Sequence, residues 1–277
     1  MGILNVTPDS FSDGGTYASV QAAVDRAGEM ADEGAAIVDV GGESTRPRGT
    51  TYGAGATPVG LDEELARVIP VLEAIARALP HLLISVDTYK GAVAREALRA
   101  GAHLVNDVTG VRDGVGTARA AADYGAPLVV MHAVGAPGAM PHEMQTDDVV
   151  ETVSASLAAS VRRAQAEGVR NVIVDPGFGF GKTPDDNLRL VARVDRLVAL
   201  GHPVLVGVSR KSSVAHAMGR PAAPPADRVY GSLGLAALAT LRGAAIVRTH
   251  DVGPTVDLLR AIASADAAAD VSREVAA

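Results

Sequence analysis

Residues 65–87, LARVIPVLEAIARALPHLLISVD, combine a helical pattern and a short apolar strand in one unit. The first part repeats apolar residues at the spacing of an amphipathic helix, with an inner face formed by Leu65, Val68, Ile69, Leu72 and Ile75. The run from Leu82 to Asp87 then has the length and apolar content of a buried strand. A buried strand next to a helix is typical of a parallel sheet that helices cover.

The same kind of strand recurs along the whole chain. Eight runs alternate with helical segments, at residues 2–5, 36–39, 82–87, 103–106, 127–132, 171–175, 203–209 and 244–250. Eight alternating units favour closure into a barrel over an open doubly wound sheet. The sequence therefore predicts an α/β fold, a (β/α)8 TIM barrel, with residues 1–277 as a single domain and about 266–277 as a frayed C-terminal tail.

Composition narrows the classes of function. Apolar residues make up 48% of the 277 residues and aromatic residues only 3%, so Val, Leu, Ile and Ala must build the core. The absence of cysteine excludes disulfides, thiolate metal sites and a thiol nucleophile. The net charge is −7 with scattered basic residues, so we expect no nucleic-acid partner. We find neither a signal peptide nor an apolar run of membrane-spanning length, and we expect a cytoplasmic protein without a membrane partner.

The basic residues are strongly biased towards arginine. Lys90, Lys182 and Lys211 are the only lysines among 25 basic residues. Because ammonium and guanidinium groups differ in shape and hydration, lysine is expected to persist where arginine cannot replace it. Each lysine taken alone could equally be an ordinary surface residue.

Every predicted strand ends on a polar side chain, namely Asn5, Asp39, Asp87, Asn106, His132, Asp175, Ser209, and Arg248 with His250. A single strand-end residue of this kind is as often a helix cap or turn former as a functional group. In a barrel, however, the carboxyl ends of all strands form one face, where active sites lie. The set therefore predicts a single polar pocket.

Several loops would surround this face. Residues 6–18 and 41–60 form two long rim loops, which are usually functional at such lengths. The segment from Asp175 to Thr183 is rich in glycine, but Pro176 stands where a nucleotide P-loop needs its first glycine. A glycine-rich turn that lets the backbone approach a flat ligand is the remaining interpretation.

The last two strands indicate an anion site. Ser209 to Ser213 lead directly into a short helical segment, whose first N–H groups would point at the pocket. Arg248 and His250 fall on the same side of the eighth strand and could clamp a diphosphate. The alternative is that Arg248 pairs with a carboxylate inside the barrel, and the neighbouring histidine makes this the less favoured interpretation.

The sequence shows no trio of Asp, Glu and His at metal-ligand spacing, so we do not expect a closed, protein-held metal site. A Mg²⁺ ion held mainly by a substrate diphosphate needs only one protein oxygen. Asn5 is the candidate for that ligand.

Seven motifs occur in order, and together they resemble the dihydropteroate synthase family. They are MGILNVTPDSFSDGG at 1–15, DVGGESTRP at 39–47, SVDT at 85–88, Asn106-Asp107, DPGFGFGK at 175–182, SRKS at 209–212 and RTH at 248–250. The resemblance extends from residue 1 to about residue 260.

This resemblance implies a reaction, in which p-aminobenzoate displaces diphosphate from 6-hydroxymethyl-7,8-dihydropterin diphosphate to give 7,8-dihydropteroate, with Mg²⁺ on the diphosphate. It implies catalytic roles for Asp87, Lys211, Arg248 and His250. The implied pterin ligands are Asp87, Asn106, Met131, Asp175, Phe180 and Lys211. The implied diphosphate ligands are Asn5, Thr45, Arg248 and His250, and the implied aminobenzoate site is Phe11, Thr45, Arg46, Pro47 and Ser212. A homodimer and a sulfonamide target are further implications.

Three alternatives remain at this point. A pterin-binding methyltransferase barrel would share the pterin-facing Asp and Asn, but it has no use for the diphosphate and aminobenzoate motifs. A non-catalytic relative would have no reason to keep together the whole set of Asn5, Thr45, Arg46, Lys211, Arg248 and His250. An unrelated phosphosugar barrel would require the seven ordered motifs to be coincidental.

Overall fold

Strands and helices alternate along the chain in the computed structural model, which describes residues 1–6, 15–43, 59–112, 114–135, 144 and 146–274. The strands are β1 (Gly2–Asn5), β2 (Ile37–Gly41), β3 (Leu83–Asp87), β4 (Leu104–Asp107), β5 (Leu128–Met131), β6 (Val172–Asp175), β7 (Leu205–Val206) and β8 (Ile246–Val247). Each lies within a run that the sequence predicts as a strand or extends it by one or two residues.

Helices separate these strands. They are α1 (Gly15–Asp32), α2 (Leu61–Ala78), α3 (Gly91–Arg99), α4 (Gly116–Tyr124), α5 (Val149–Ala166), α6 (Pro184–Ala192), α7 (Val194–Val198), α8 (Ser212–Ala217), α9 (Val229–Leu241) and α10 (Val252–Glu274). Local signals start two of them. The Asp148 carboxylate accepts hydrogen bonds from two N–H groups in the first turn of α5. At the start of α6, Thr183 precedes Pro184, and its hydroxyl accepts a hydrogen bond from the Asp186 N–H.

The strands form a parallel, closed barrel. Strands β1 to β6 pair in sequence order, and β7 pairs with β8. Two parallel bridges, Val174 with Val204 and Gly2 with Thr249, join these two sheets. The Ile3 N–H donates to the Thr249 carbonyl over 2.9 Å, so the last strand returns to the first. The predicted (β/α)8 barrel in a single domain is confirmed.

Strand alternation divides the core in two. Val38, Val40, Ile84 and Val86 face outwards and pack with the helices in the main apolar cluster. The alternate residues face the barrel interior, where a separate layer contains Leu104, Val129 and Leu205, with Ile37, Ile173 and Ile246 packed against it. Two residues beyond Ile37, the interior becomes polar at Asp39. The apolar layer therefore closes the barrel beneath a polar pocket.

The structure corrects some predicted boundaries. Strands β7 and β8 are much shorter than the predicted runs 203–209 and 244–250. After β7 the chain turns, since the Lys211 N–H donates to the Val208 carbonyl and Arg210 adopts a positive φ of 58°. The first rim loop ends earlier than predicted, since α1 begins at Gly15. Helix α10 continues through residues 266–274, and the fraying of this end stays a prediction. No helix in the described ranges has the length and hydropathy to cross a membrane.

Candidate active site

The barrel places the predicted strand-end residues at one edge. Asn5 is in register with Gly41, Gly41 with Asp87, and Asp87 with Asn106. On the other side, Met131 is in register with Asp175. Because strands in register share one level of the barrel, these residues surround the same opening. The convergence predicted from sequence is therefore present among them.

Arg248 lies between two buried carboxylates. Its Nε donates to Asp39 Oδ2 over 2.6 Å, and its Nη2 donates to Asp87 Oδ2 over 2.9 Å. From the sequence, an Arg248 that is free to clamp a diphosphate was favoured over one that pairs with a carboxylate inside the barrel. The structure shows Arg248 paired with two carboxylates. Arg248 thus neutralises charge deep in the pocket, and a diphosphate contact by this residue stays a prediction.

Asp87 and Asp175 are both buried carboxyl groups. Burial raises the pKa of Asp87, the Arg248 guanidinium opposes the rise, and the Asp39 carboxylate adds to it. Burial also raises the pKa of Asp175, with Lys211 and the Gly177 N–H opposing. The Gly177 N–H donates to Asp175 Oδ1 over 2.7 Å, which orients this carboxylate. Two oriented carboxyl groups in a dry pocket are suited to bind adjacent N–H donors of a ligand.

Lys211 lies against two aromatic rings next to this pair. Its ammonium donates to the Phe178 carbonyl and lies 4.5 Å from the centroid of the Phe180 ring. Burial lowers the pKa of Lys211 to about 8, while the Asp175 carboxylate opposes the change. The ammonium is therefore a charged donor at neutral pH that can exchange its proton near pH 8.

An apolar wall completes the pocket. Val108, Met131 and Ala133 form a small buried cluster, and Tyr89 and Phe180 pack against it with partly exposed rings. The sequence assigned Met131 and Phe180 to one pocket, and the structure places them in one cluster. A flat ring could lie between these side chains and the polar residues described above.

Lys182 fixes the backbone of the glycine-rich loop after β6, and its ammonium is bonded to that backbone and to the His132 carbonyl. The buried ammonium donates to the carbonyls of His132, Gly177 and Phe180 over 3.2, 2.8 and 3.1 Å. Burial lowers its pKa to about 7. Gly177 has a φ of +66°, and a Cβ there would lie 1.8 Å from the His132 carbonyl oxygen. Close backbone packing thus explains this glycine.

His250 lies at the outer end of the pocket. Its Nδ1 is 3.0 Å from the Ser209 hydroxyl, which also accepts the His250 backbone N–H over 3.1 Å. Burial and the neighbouring Arg248 lower the pKa of His250 to about 4, so the ring is neutral at pH 7. A hydroxyl that accepts the backbone N–H can donate to Nδ1, which leaves Nε2–H as a donor.

Part of the predicted aminobenzoate site lies outside the described residues, namely Phe11, Thr45, Arg46 and Pro47. The remaining member, Ser212, is half-buried and begins the six-residue helix α8 directly after Lys211. Its role in an aminobenzoate site stays a prediction.

Sequence reasoning missed an ion cluster next to the second rim loop. The Lys90 ammonium forms ion pairs with Glu43 and Glu64. The Tyr89 hydroxyl donates to Glu43 over 3.1 Å, and the Thr88 hydroxyl donates to Glu64 over 2.7 Å. The cluster ties the end of β2 to α2 and to the segment after β3. The scarcity of lysine was the only signal for it, and all three lysines are bound in internal networks.

The donor set fits a metal ion bound mainly by its ligand. Among the residues that the structure describes, no three His, Asp or Glu side chains gather as a metal site. The Asn5 side chain is exposed at the end of β1 and offers an amide oxygen to the opening. Hard cations such as Mg²⁺ accept such oxygens together with phosphate oxygens.

Comparison with known proteins gives consistent matches over nearly the whole chain. Residues 1–250 match the family model described as "Pterin binding enzyme". The chain is 44% identical to the dihydropteroate synthase of Escherichia coli K12 over 264 residues, which is 95% of this chain and 89% of that protein. Dihydropteroate synthase of Xanthomonas albilineans with 4-aminobenzoic acid is 45% identical, covers 96% of this chain and 92% of its own, and has a TM-score of 0.86. The Yersinia pestis dihydropteroate synthase in a sulfonamide drug complex is 42% identical, covers 96% and 94%, and has a TM-score of 0.86.

Proposed function

Because the chain belongs to the dihydropteroate synthase family of pterin-binding enzymes, we propose that its strand-end pocket binds the substrates of that reaction. The enzyme is a transferase that moves the pterinylmethyl group of 6-hydroxymethyl-7,8-dihydropterin diphosphate onto p-aminobenzoate. The products are 7,8-dihydropteroate and diphosphate. The observation that supports this site best is the convergence of Asp87, Asn106, Asp175 and Lys211 around one opening with an apolar wall.

The pterin would lie flat against the cluster of Met131 and Phe180. A pterin edge alternates N–H donors and acceptors, which Asp87, Asp175 and Asn106 can match by direction as well as by charge. The Lys211 ammonium supplies a charged donor on the same side. The ring would therefore be fixed before either bond of the reaction changes.

In the transfer step, the bond between the pterin methylene carbon and the diphosphate oxygen breaks, and a bond to the aminobenzoate nitrogen forms. The nitrogen then loses one proton. Positive charge that develops on the pterin would be stabilised by the Asp87 carboxylate, whose ionised form the bond from Arg248 favours. An arylamine is neutral at pH 7, so the step needs no strong general base.

At the outer end, the Nε2–H of neutral His250 would donate to the departing diphosphate, and Asn5 would contribute an oxygen to Mg²⁺ on that group. The ion, when bound, supplies positive charge that stabilises the leaving group. Thr45 and Arg248 are further diphosphate contacts by resemblance.

The aminobenzoate site, where sulfonamides would compete, would be formed by Phe11, Thr45, Arg46, Pro47 and Ser212. The diphosphate-bearing substrate does not cross membranes unaided, which supports a cytoplasmic location.

The test is the release of inorganic diphosphate with both substrates and Mg²⁺, with each one omitted in turn. We expect release only with the complete mixture, together with formation of dihydropteroate. Release of diphosphate in the absence of aminobenzoate would show that the enzyme hydrolyses the pterin diphosphate. No release from the complete mixture would overturn the proposal.

We also propose that the protein is a homodimer that pairs through α9. This 13-residue helix, VYGSLGLAALATL, has no charged side chain, and it leaves Tyr230 84% and Leu241 62% exposed. A helix apolar on its outer side is suited to pack against an identical helix, since a twofold interface pairs a surface with itself. Light scattering should give a dimer mass for the wild type and a monomer mass for Tyr230→Glu/Leu241→Glu. A monomeric wild type would contradict this proposal.

A further inference from the structure

Asp39 occupies a central position in the pocket, although no substrate contact is assigned to it. It lies in the middle of β2, its side chain is fully buried, and it faces the barrel interior. Its Oδ2 accepts two hydrogen bonds at once, from Asn106 Nδ2 over 2.9 Å and from Arg248 Nε over 2.6 Å. One carboxylate oxygen therefore contacts a predicted pterin ligand and a predicted diphosphate ligand.

The bond to Asp39 fixes the orientation of the Asn106 amide. If the amide were flipped, its oxygen would face the Asp39 carboxylate, with two acceptors and no proton between them. In a buried site such a contact leaves the Asn106 oxygen without a donor and places it against a carboxylate oxygen, which costs more than an ordinary hydrogen bond contributes. Asn106 must therefore direct its Oδ1 and its second N–H away from Asp39.

The same carboxylate orients the guanidinium of Arg248. With Nε on Asp39, the planar group directs Nη2 at Asp87, where it bonds Oδ2 over 2.9 Å. The second carboxylate oxygen of Asp87 is buried and has no hydrogen-bond partner within the described part of the chain. A chain of contacts thus runs from Asn106 through Asp39 and Arg248 to Asp87.

From this chain of contacts we propose that Asp39 is a positioning residue that sets the donor and acceptor pattern of the pterin pocket. It fixes which atom of the Asn106 amide faces the ligand, and through Arg248 it leaves one oxygen of Asp87 free to accept. This inference rests on the proposed pterin site. It assigns recognition of the heterocycle to a side chain that does not touch it.

The test is a double-mutant cycle on pterin affinity, with 6-hydroxymethylpterin titrated calorimetrically in the absence of Mg²⁺ and aminobenzoate. Asp39→Leu removes both acceptor contacts and should weaken binding at least about 10-fold. In an Asn106→Ala background the same change should weaken binding by a clearly smaller factor, because no amide remains to orient and only the contact through Arg248 to Asp87 is lost. Equal losses in both backgrounds would show that Asp39 does not act through the Asn106 amide and would overturn the proposal.

Asp39→Asn is the matched control. Its amide oxygen can still accept from Asn106 and Arg248 while the charge is lost, so binding should stay within about 3-fold of wild type. A loss as large as that of Asp39→Leu would mean that charge, and not orientation, is the role of Asp39, and would overturn the proposal.

If Asp39→Leu fails to fold, the wild-type protein itself gives a second measurement. A neutron structure of the deuterated wild type with 6-hydroxymethylpterin should place a deuteron of Asn106 Nδ2 towards Asp39 Oδ2 and should place Asn106 Oδ1 towards the pterin. The reversed amide, or both orientations together, would contradict a fixed amide. A wild type that does not bind the pterin would instead overturn the proposed function.

Discussion

Ser209 and His250, at the ends of neighbouring strands, form a hydrogen-bonded pair in which the serine hydroxyl lies 3.0 Å from Nδ1 of the imidazole. Since burial and Arg248 lower the pKa of His250 to about 4, this ring acts as a neutral donor through Nε2 at pH 7. The pair orients the side chain that is proposed to donate to the diphosphate at the outer end of the pocket.

His250→Ala is expected to weaken binding of the pterin diphosphate about 5-fold, the loss of one neutral hydrogen bond. Binding of 6-hydroxymethylpterin, which has no diphosphate, should be unchanged. Calorimetric titration with the two ligands measures the difference. An equal loss for both would place His250 at the heterocycle instead.

Lys211→Ala should weaken binding of the same pterin roughly 10- to 150-fold, because a charge-assisted hydrogen bond in a buried site is lost. The ammonium lies against Phe180 and beside Asp175, so the variant also leaves that carboxylate with less compensation. Calorimetric titration is again the measurement. Affinity equal to that of wild type would contradict the assignment of Lys211.

The pH dependence of pterin binding tests the same residue without removing it. The pKa of Lys211 is about 8, below its ordinary value of 10.5, so the ammonium is present below pH 8 and lost as pH rises through it. Affinity should therefore fall between about pH 7.5 and 9. The arginine of Lys211→Arg stays charged over this range, so pterin binding by this variant should change with pH only through the titration of the pterin itself. Identical profiles for the two proteins would exclude titration of Lys211.

Lys182→Met should destabilise the protein by about 1–3 kcal/mol at pH 7, because three buried carbonyls lose their donor. The pKa of Lys182 is about 7 in the folded protein and 10.5 ordinarily, so the unfolded chain binds more protons between these values. The contribution of this group to stability should consequently rise with pH from 7 to 10.5. Urea unfolding should show a shallower rise in the variant, and an unchanged slope would refute the burial of the charge.

Two glycines with nearly the same φ make it possible to measure the cost of steric contact separately from the cost of backbone strain. Gly177 and Gly219 have φ values of +66° and +67°, but only at Gly177 would a Cβ meet a backbone oxygen, at 1.8 Å. Gly219→Ala should cost about 1 kcal/mol of strain, while Gly177→Ala should cost about 3 kcal/mol or more and reduce pterin binding. Urea unfolding of both variants is the measurement, and equal losses would show that the His132 carbonyl does not restrict the loop.

The barrel and the opening of its pocket were predictable because both depend on local patterns. Alternating strands and helices determine the fold class, and a polar residue at each strand end lies at the same edge once the strands are parallel. The resemblance to a known family then assigned roles to Asp87, Asn106, Asp175 and Lys211, which the structure brings together.

The contacts between distant parts of the chain were not predictable. Arg248 bonds Asp39 across 209 residues only because β8 returns to β1, and no spacing in the sequence indicates that geometry. Lys182 binds backbone carbonyls whose positions depend on the folded loop. The ion cluster of Lys90, Glu43 and Glu64 likewise joins three elements that are distant in sequence.

A crystal structure of the protein with 6-hydroxymethylpterin tests the pocket most directly. We predict the ring against Met131 and Phe180, with its polar edge within about 3.2 Å of Asp87, Asn106, Asp175 and Lys211. A ring bound elsewhere on the barrel, with these four side chains free of it, would contradict the proposed site.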